Sequence, residues 1–480
     1  MLFNSISYLI FLPIVVCIYF ILPQRFRWVL LLTASYLFYM CWKPEYIILI
    51  VLSTIIDYYC ARKIGAAKTT KKRRLFLIIS LCTNLGLLFG FKYFNFMNNS
   101  VHHVFNALHL PYSIPYLNVL LPVGISFYTF QTLSYTIDVY RGQRQPESHF
   151  GIFAVYVSFF PQLVAGPIER STHLMPQFRI KHSFNYQRVT NGIKLIAWGF
   201  FKKIVIADRL AIYVNEVYNH PDQYHGWAIL LATYFFAFQI YCDFSGYSDI
   251  AIGSARIMGY SLMNNFNRPY FSRSISEFWS RWHVSLSTWF RDYLYIPLGG
   301  NRVAKNRWYA NLFVVFLVSG LWHGANWTFV LWGAMHGSFL IFSHLTKNIR
   351  NHLWDFLGFG SDSRIKNIVQ IIATFHLVLF SWIFFRANSL SEAFLLIRRL
   401  FIFEPFHVVL YPVITRSYLI ISILAIVFME TIHIIQIRQS PISILSRQSS
   451  WVRWTAYYAF VLSILLFGTF DSQAFIYFQF

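Results

Sequence analysis

Long apolar runs separated by short polar segments make up most of the chain. A membrane-spanning helix needs about 20 mainly apolar residues, because the hydrocarbon core is about 30 Å thick. The pattern predicts an all-α, polytopic membrane protein with about twelve transmembrane helices and some re-entrant or interfacial segments. The predicted spans are 4–22, 28–42, 44–60, 75–95, 118–139, 191–212, 226–254, 308–322, 327–345, 366–387, 416–436 and 452–470.

The composition supports a single integral-membrane domain over residues 1–480. Hydrophobic residues make up 57% of the chain and charged residues 12%, with a mean hydropathy of +0.49, whereas about a quarter of residues are charged in soluble proteins. The net charge of +22 does not indicate nucleic-acid binding, because the basic residues lie in short loops between apolar runs. Such loops set membrane topology. The five cysteines form no CxxC pair, so neither a metal site nor a disulfide framework is expected.

The basic loops predict the orientation. Segment 61–74 carries seven lysines and arginines and segment 264–307 another seven, so both are expected on the cytoplasmic side. Counting spans outward from them leaves both termini outside. Segment 150–166 is apolar but has basic flanks on both sides, and it contains Pro161 and the pair Gly166 and Pro167. We therefore interpret it as re-entrant, because irregular backbone at membrane depth is tolerated where protein covers it.

The segment 308–322 is short for a span. Fifteen residues at about 1.5 Å each cover only about 22 Å, so the segment is expected to end inside the bilayer. The break at 319–326 would place His323 at membrane depth. An ionisable group there is a functional candidate, and imidazole is the usual proton carrier near neutral pH. The alternative is a histidine that holds helices together by a hydrogen bond.

Other polar side chains inside apolar surroundings are further candidates. His283 lies in a helix-like run, 277–293, rich in tryptophan and charge, for which an interfacial aromatic belt is the alternative. His336 has small residues around it and favours helix packing. Asp243 and Asp249 fall within an apolar span and need partners, for which Arg256 and Arg268 are nearest in sequence. Their run is either a structural polar core or the lining of an acyl-donor tunnel.

Five separated motifs stand out along the chain: LPVGISFY at 121–128, FPQLVAGPI at 160–168, DFSGYSD at 243–249, FWSRWHVSLSTWFR at 278–291 and GLWHG at 320–324. They resemble those of membrane-bound O-acyltransferases, in the bacterial branch of alginate and peptidoglycan O-acetylation proteins and teichoic acid D-alanyl transferases. The resemblance covers nearly the whole chain, and the motifs occur in the family's order.

The resemblance implies a ring of tilted helices around a thin floor, with a tunnel from a cytoplasmic donor site to an outer funnel. By this resemblance His323 is the family's near-invariant histidine, and His283 is the second histidine, on the cytoplasmic side. The C-terminal motif 470–480 implies that Tyr477 relays the acyl group, although an interfacial anchor fits equally well. The side chains expected to line the tunnel are Trp279, Trp282, Ser285, Arg291, Asp243, Ser245, Trp322 and Asn326.

We therefore predict an O-acyltransferase of the bacterial inner membrane. It is expected to move an acyl group, which we expect to be acetyl, for O-acetylation of an envelope polysaccharide, either peptidoglycan or an alginate-like polymer. The donor is acetyl-CoA or another cytoplasmic acyl thioester, no cofactor is permanently bound, and a periplasmic acyltransferase is the expected partner. One alternative is a self-contained acyltransferase of a lipid or protein hydroxyl. Another is a glycan or lipid transporter, although transporters commonly show internal repeats and none is evident.

Overall fold

All the regular structure is helical in the computed structural model, which describes residues 1–164, 166–360, 363–402, 414–470 and 475–476. This confirms the predicted all-α fold. The first half contains α1 (Ile6–Ile21), α2 (Gln24–Met40), α3 (Ile47–Ala66), α4 (Thr70–Leu88), α5 (Phe94–Ala107), α6 (Ile125–Tyr140), α7 (Phe150–Ser158), α8 (Phe160–Leu163), α9 (Ser171–Leu174), α10 (Tyr186–Phe200) and α11 (Asp208–Asn219). The second half contains α12 (Gly226–Met258), α13 (Ile275–Arg281), α14 (Val284–Phe290), α15 (Lys305–His323), α16 (Trp327–Leu345), α17 (Lys347–Phe356), α18 (Arg364–Arg386), α19 (Leu390–Arg399), α20 (Arg416–Arg438), α21 (Pro441–Ser446) and α22 (Ser450–Phe467).

Short helical segments of other pitch join several of these helices. Three are π-helical, Phe89–Tyr93, Phe201–Ala207 and Arg291–Tyr295, and three are 3₁₀ turns, Pro44–Tyr46, Met175–Arg179 and Pro269–Phe271. Because π-helical residues continue α4 into α5, the helix runs without a break from Thr70 to Ala107. A π-helical turn accommodates an extra residue within a continuing helix and is often found near functional sites.

Six helices in the described part of the chain are long and apolar enough to cross a membrane. The α22 window has none of its residues buried and the α20 window only 22%, which is what a lipid-facing surface requires. The count of twelve crossings stays a prediction, because the other predicted spans form shorter or less apolar helices. The six are Thr70–Ala107, Gly226–Met258, Trp327–Leu345, Arg364–Arg386, Arg416–Arg438 and Ser450–Phe467.

Several helix ends differ from those that hydropathy predicts. The segment predicted to be short, 308–322, is part of α15, a helix of 19 residues that begins at Lys305 and spans about 28 Å. The basic loop 61–74 is mostly helical, since α3 ends at Ala66 and α4 begins at Thr70. The predicted helix boundaries were wrong here because lysine and arginine are good helix formers that hydropathy counts as breaks. The cytoplasmic position of 61–74 and the end of α15 inside the bilayer stay predictions.

Helix α6 begins later than predicted, at Ile125 rather than near residue 118. The residue before it, Gly124, has φ of +78°, and a Cβ there would lie 2.7 Å from the carbonyl oxygen of Leu163. Only glycine meets both conditions, the left-handed backbone and the close approach. Residues 110–122 therefore form an irregular segment before the helix.

The chain divides into two compact units, and the first comprises Met1–Ile196, Ile250–Asn264 and Thr288–Tyr293. Helices α3, α4 and α6 pack together there around the buried carboxylate of Asp57. Asn84 Nδ2 donates to both oxygens of that carboxylate, at 2.9 and 3.0 Å, and Ser80 Oγ donates at 2.5 Å. These hydrogen bonds connect helices α3 and α4 through buried side chains.

The segment interpreted as re-entrant also lies in the first unit. It forms α7 and the four-residue α8, with the chain bent at Phe159, and nearly all of its side chains are buried. A bent, fully covered segment is what irregular backbone at membrane depth needs. Its path relative to the membrane stays a prediction.

The second unit comprises Ala197–Asp249, Asn265–Ser287 and Leu294–Phe480. Its tightest helix pair is α15 with α16, which glycines allow to approach closely. A Cβ on Gly320 would lie 2.2 Å from the carbonyl oxygen of Phe329, and a Cβ on Gly333 would lie 2.2 Å from that of Phe316. The expectation that small residues near His336 admit a neighbouring backbone is therefore confirmed. The expected single domain over 1–480 stays a prediction.

Candidate active site

The first candidate, His323, is the last residue of α15. The helix stops there because Gly324 is extended, with φ of −157° and ψ of 147°, and Asn326 then caps α16 by accepting a hydrogen bond from the Thr328 amide at 3.0 Å. The break is therefore shorter than predicted and covers only residues 324–326. Its effect is to hold the imidazole of His323, 2% exposed, at the junction of two closely packed helices.

The second candidate, His283, lies at a break between α13 and α14, so the predicted helix-like run 277–293 is not continuous. His283 has φ of +43°, in the left-handed region that few residues other than glycine adopt. Its carbonyl oxygen accepts hydrogen bonds from the amides of Leu286 and Ser287, both at 3.0 Å, and so starts α14. Strained backbone of this kind is often retained at functional sites.

Asn265 holds that break in place. Its carbonyl oxygen accepts from the Val284 amide at 3.0 Å, and its side-chain oxygen accepts from Ser285 Oγ at 2.7 Å and from the Ser285 amide at 3.2 Å. Three bonds from one residue fix the turn on which His283 sits. Ser285, predicted to line the tunnel, therefore has a clear supporting role beside the histidine.

The two histidines meet in one buried cluster. Their ring centroids are 6.4 Å apart, and the indole of Trp322 contacts both, at 5.9 Å from His283 and 5.1 Å from His323. Trp332 and Phe385 also pack against His323, at 5.0 and 5.4 Å. His283 is completely buried, and burial lowers its pKa to about 3, so this imidazole is neutral.

A neutral imidazole has a ring nitrogen lone pair that is able to accept a hydrogen bond, but the burial that lowers the pKa of His283 also makes it a weak base. Low polarity around it also strengthens any electrostatic contact with a developing charge. Within the described residues no group of three or more histidine, cysteine, aspartate or glutamate side chains is placed to hold a metal ion. The side chains of this cluster are able to transfer protons and to position a substrate.

The carboxylates of α12 form ion pairs with lysines rather than arginines. Lys202 Nζ lies 2.7 Å from Asp249 Oδ2 and 2.9 Å from Ser245 Oγ. Lys203 Nζ lies 2.6 Å from Asp243 Oδ1 and 2.8 Å from Asp208 Oδ1. Both lysines are buried and belong to the π-helical segment Phe201–Ala207.

The prediction that Arg256 or Arg268 pairs with these acids was wrong. Arg268 donates instead to the side chain of its neighbour Asn267. The nearest basic residues in sequence were not the partners, because Lys202 and Lys203 lie more than about 35 residues before these acids and approach them only when the helices pack. Asp243 and Asp208 are buried and share Lys203, whereas the Asp249 side chain is 21% exposed and pairs with Lys202. Removing one partner of the buried group would leave an uncompensated charge, which is costly in a low-dielectric interior.

The remaining predicted tunnel residues have varied surroundings. Trp279 Nε1 donates to His336 Nδ1 at 3.3 Å, and Trp282 is fully buried and stacks on Phe278. Arg291 belongs to the first unit, where it is exposed and pairs with Asp292 at 2.8 Å. The tunnel itself stays a prediction, and Tyr477 lies outside the described residues.

Sequence reasoning missed several residues that shape the site. None of them is a residue type that stands out in a sequence as a catalytic candidate. They are an asparagine in a loop, two lysines in a helical segment and a phenylalanine that follows an aspartate. Two buried lysines in a span were the available signal, because intramembrane charges require partners. The missed residues are Asn265, Lys202, Lys203 and Phe244, whose ring lies 4.6 Å from His283.

Comparison with known proteins decides the family. The sequence model of the membrane-bound O-acyltransferase family matches residues 47–389, which is well over half of the chain. The chain belongs to this family. It is accordingly a polytopic membrane O-acyltransferase, and the predicted resemblance is confirmed.

Three curated relatives illustrate the match to this O-acyltransferase. The probable alginate O-acetylase of Pseudomonas aeruginosa is 40% identical over 84% of this chain and 75% of its own length. The peptidoglycan O-acetyltransferase of Helicobacter pylori is 36% identical over 82% of this chain and 78% of its own. The teichoic acid D-alanyltransferase of Bacillus subtilis is 29% identical over 56% of this chain and 69% of its own.

Proposed function

We propose that this O-acyltransferase takes an acetyl group from a cytoplasmic thioester and delivers it across the inner membrane for O-acetylation of a cell-envelope polysaccharide. The observation that carries the proposal is the pairing of His283 and His323 in one buried cluster. The relatives named for alginate and peptidoglycan O-acetylation support the polymer class. Peptidoglycan or an alginate-like exopolysaccharide is the proposed acceptor.

The proposed chemistry assigns the proton to His323. Its imidazole accepts the proton of an attacking hydroxyl as the hydroxyl oxygen forms a bond to the acyl carbon. The bond between that carbon and sulfur then breaks, and the proton passes to the departing thiolate. His283, neutral and close by, shapes the donor side, and the buried aromatic rings exclude water that would hydrolyse the thioester.

In this proposal the hydroxyl that receives the acyl group is that of Tyr477, and a periplasmic acyltransferase then transfers it to the polymer. Tyr477→Phe retains the ring and removes only the hydroxyl. A relay requires the hydroxyl oxygen as nucleophile, whereas a membrane anchor requires only the ring. Loss of polymer acetylation with normal protein level supports the relay, and full acetylation would reduce the residue to an anchor.

The orientation of the proposal is testable with one cysteine. Ser287 follows His283 and belongs to the basic segment expected in the cytoplasm. Ser287→Cys should not react with a membrane-impermeant thiol reagent added outside intact spheroplasts, but should react after the membrane is opened. Labelling from outside would reverse the proposed direction of transfer.

Mass analysis of envelope glycans tests the function as a whole. Polymers from cells that contain or lack this chain are compared, and the acetylated fraction should fall to background without it. Cells complemented with the unchanged chain provide the control. Unaltered acetylation of every envelope polysaccharide in the deletion strain would contradict the proposal.

A further inference from the structure

The last described residues of the chain lie against α12. Phe475 and Ile476 are 0% and 3% exposed. The Ile476 amide donates a hydrogen bond to Asp243 Oδ2 at 2.7 Å. The Phe475 ring packs on Tyr247 and Phe244, with centroids 4.6 and 5.7 Å away. A C-terminal segment with one backbone bond to a buried carboxylate and one buried ring is docked at a defined place.

The carboxylate that receives this bond is itself fixed. Asp243 Oδ1 lies 2.6 Å from Lys203 Nζ, and the same lysine lies 2.8 Å from Asp208 Oδ1. All three side chains are buried. Asp243 therefore binds a cation through one oxygen and the C-terminal backbone through the other. A hydrogen bond to an ionised acceptor is roughly twice as strong as one between neutral groups.

The docking point is close to the histidine cluster. The Phe244 ring contacts Phe475 on one side and the imidazole of His283 on the other, at 4.6 Å. Phe244 directly follows Asp243 on α12, so one turn of helix contacts both the C-terminal segment and the candidate active site.

We propose that Asp243, held by Lys203, is a positioning residue that anchors the C-terminal segment at Ile476 beside the histidine cluster. The proposal rests on the proposed function, in which the next residue, Tyr477, carries the acyl group. Consecutive Cα atoms are about 3.8 Å apart, so fixing residue 476 limits where residue 477 is able to reach. Asp243 thus acts on transfer through the backbone it holds, and not by contact with the acyl group.

A backbone substitution tests the anchor without altering the ion cluster. Ile476→Pro removes the amide hydrogen that Asp243 accepts. Ile476→Ala is the matched control, because it retains that hydrogen and removes only side-chain packing. At equal protein level we expect the proline variant to lose about tenfold or more of polymer acetylation and the alanine variant to lose much less. Equal acetylation in the two variants would overturn the proposal.

Hydrogen exchange of the full-length protein in detergent gives a readout that does not depend on activity. Asp243→Asn should speed deuterium uptake by the peptide containing residues 468–480 by about tenfold. Asp208→Asn, which changes the other partner of the same lysine, should leave that uptake unchanged. Equal uptake in both variants would show that the ion cluster acts only on folding and would overturn the anchor.

The two readouts separate this proposal from the proposed function. If Tyr477→Phe retains full acetylation while Asp243→Asn still releases the segment, the relay fails and the anchor stands without its proposed purpose. If Tyr477→Phe abolishes transfer while Ile476→Pro matches Ile476→Ala, the relay stands and the anchor fails. The positioning role requires both the loss in Tyr477→Phe and the difference between the two variants at residue 476.

Discussion

His336 and His323 lie on neighbouring helices of the same unit, and both are buried, but their surroundings differ in kind. Each ring nitrogen of His336 is within hydrogen-bond distance of a side chain, Trp279 Nε1 at 3.3 Å and Ser381 Oγ at 2.9 Å. The ring of His323 lies beside a second imidazole and among large aromatic rings. Burial alone thus does not separate a structural histidine from a catalytic candidate.

The difference lies in what each ring's neighbours are able to do. A histidine held on both sides by side chains has its tautomer and orientation fixed, which stabilises the helices that supply the partners. An imidazole beside another imidazole in an apolar cluster is close to a second proton-carrying group. The first arrangement suits packing, and the second suits proton transfer.

The largest effect is expected from His323→Ala. Loss of a general base lowers the rate of transfer by about 10²- to 10⁴-fold. Acetyl groups per polymer unit, normalised to the amount of inserted protein, provide the measurement. Near-normal acetylation at normal protein level would remove the distinction drawn between the two histidines.

A smaller loss, about tenfold, is expected when the imidazole of His283 is removed. Two variants separate chemistry from backbone strain, because asparagine adopts positive φ more readily than alanine. If the imidazole matters, His283→Asn and His283→Ala should lose acetylation equally. Recovery in the asparagine variant alone would assign the residue to backbone geometry, since the strain at φ of +43° would then be the main effect.

His336→Ala should affect stability more than catalysis. It leaves the indole N–H of Trp279 without its buried acceptor, which costs about 1–3 kcal/mol in free energy of unfolding, whereas Ser381 Oγ still donates to the Val378 carbonyl at 2.7 Å. Thermal unfolding in detergent should occur at lower temperature, while acetylation per folded molecule changes by less than about threefold. Ser381→Ala, which breaks one of the two bonds, should give an intermediate midpoint. A large loss of acetylation with unchanged thermal stability would assign a catalytic role to His336 and contradict this comparison.

The smallest effect is expected at Asn326, which caps α16 and donates to the Asn388 carbonyl at 2.9 Å. Removing the cap in Asn326→Ala should cost about 1 kcal/mol of stability. Asn326→Asp preserves a capping oxygen and should lose less. Thermal midpoints of the two variants provide the test, and a selective loss of acetylation in both would favour the predicted tunnel lining instead.

Hydropathy was enough to predict an all-helical chain and the positions of its long apolar helices, because long apolar segments with polar flanks have few other structures in a membrane. It failed at helix ends that depend on other physics. Lys305 begins α15 although it is charged, and Gly124 delays α6 because the chain there has positive φ and a close backbone neighbour. Neither feature changes the hydropathy averaged over a window of the sequence.

The candidate site was predictable as far as single residues and motifs allow. His283 and His323 were identified from the sequence, 40 residues apart, and the structure brings them together. The lysine partners of Asp243 and Asp249 were not identified, because side chains distant in sequence meet only after helices pack. Pairing of that kind requires coordinates or many related sequences.

The π-helical segment Phe201–Ala207 makes the number of residues in the helix, as well as their identity, a determinant of the ion pairs. In an α-helix successive residues point about 100° apart, so neighbours such as Lys202 and Lys203 do not normally face the same helix. Here both reach carboxylates of α12 from within the widened turn. Deleting a single residue from this segment would remove the extra residue of the widened turn, restore ordinary helical spacing there and change the direction of the two lysines relative to each other. We therefore expect a deletion here to disturb the ion pairs even when it removes neither lysine, and an alignment gap in this segment should mark a relative with different internal charge pairing.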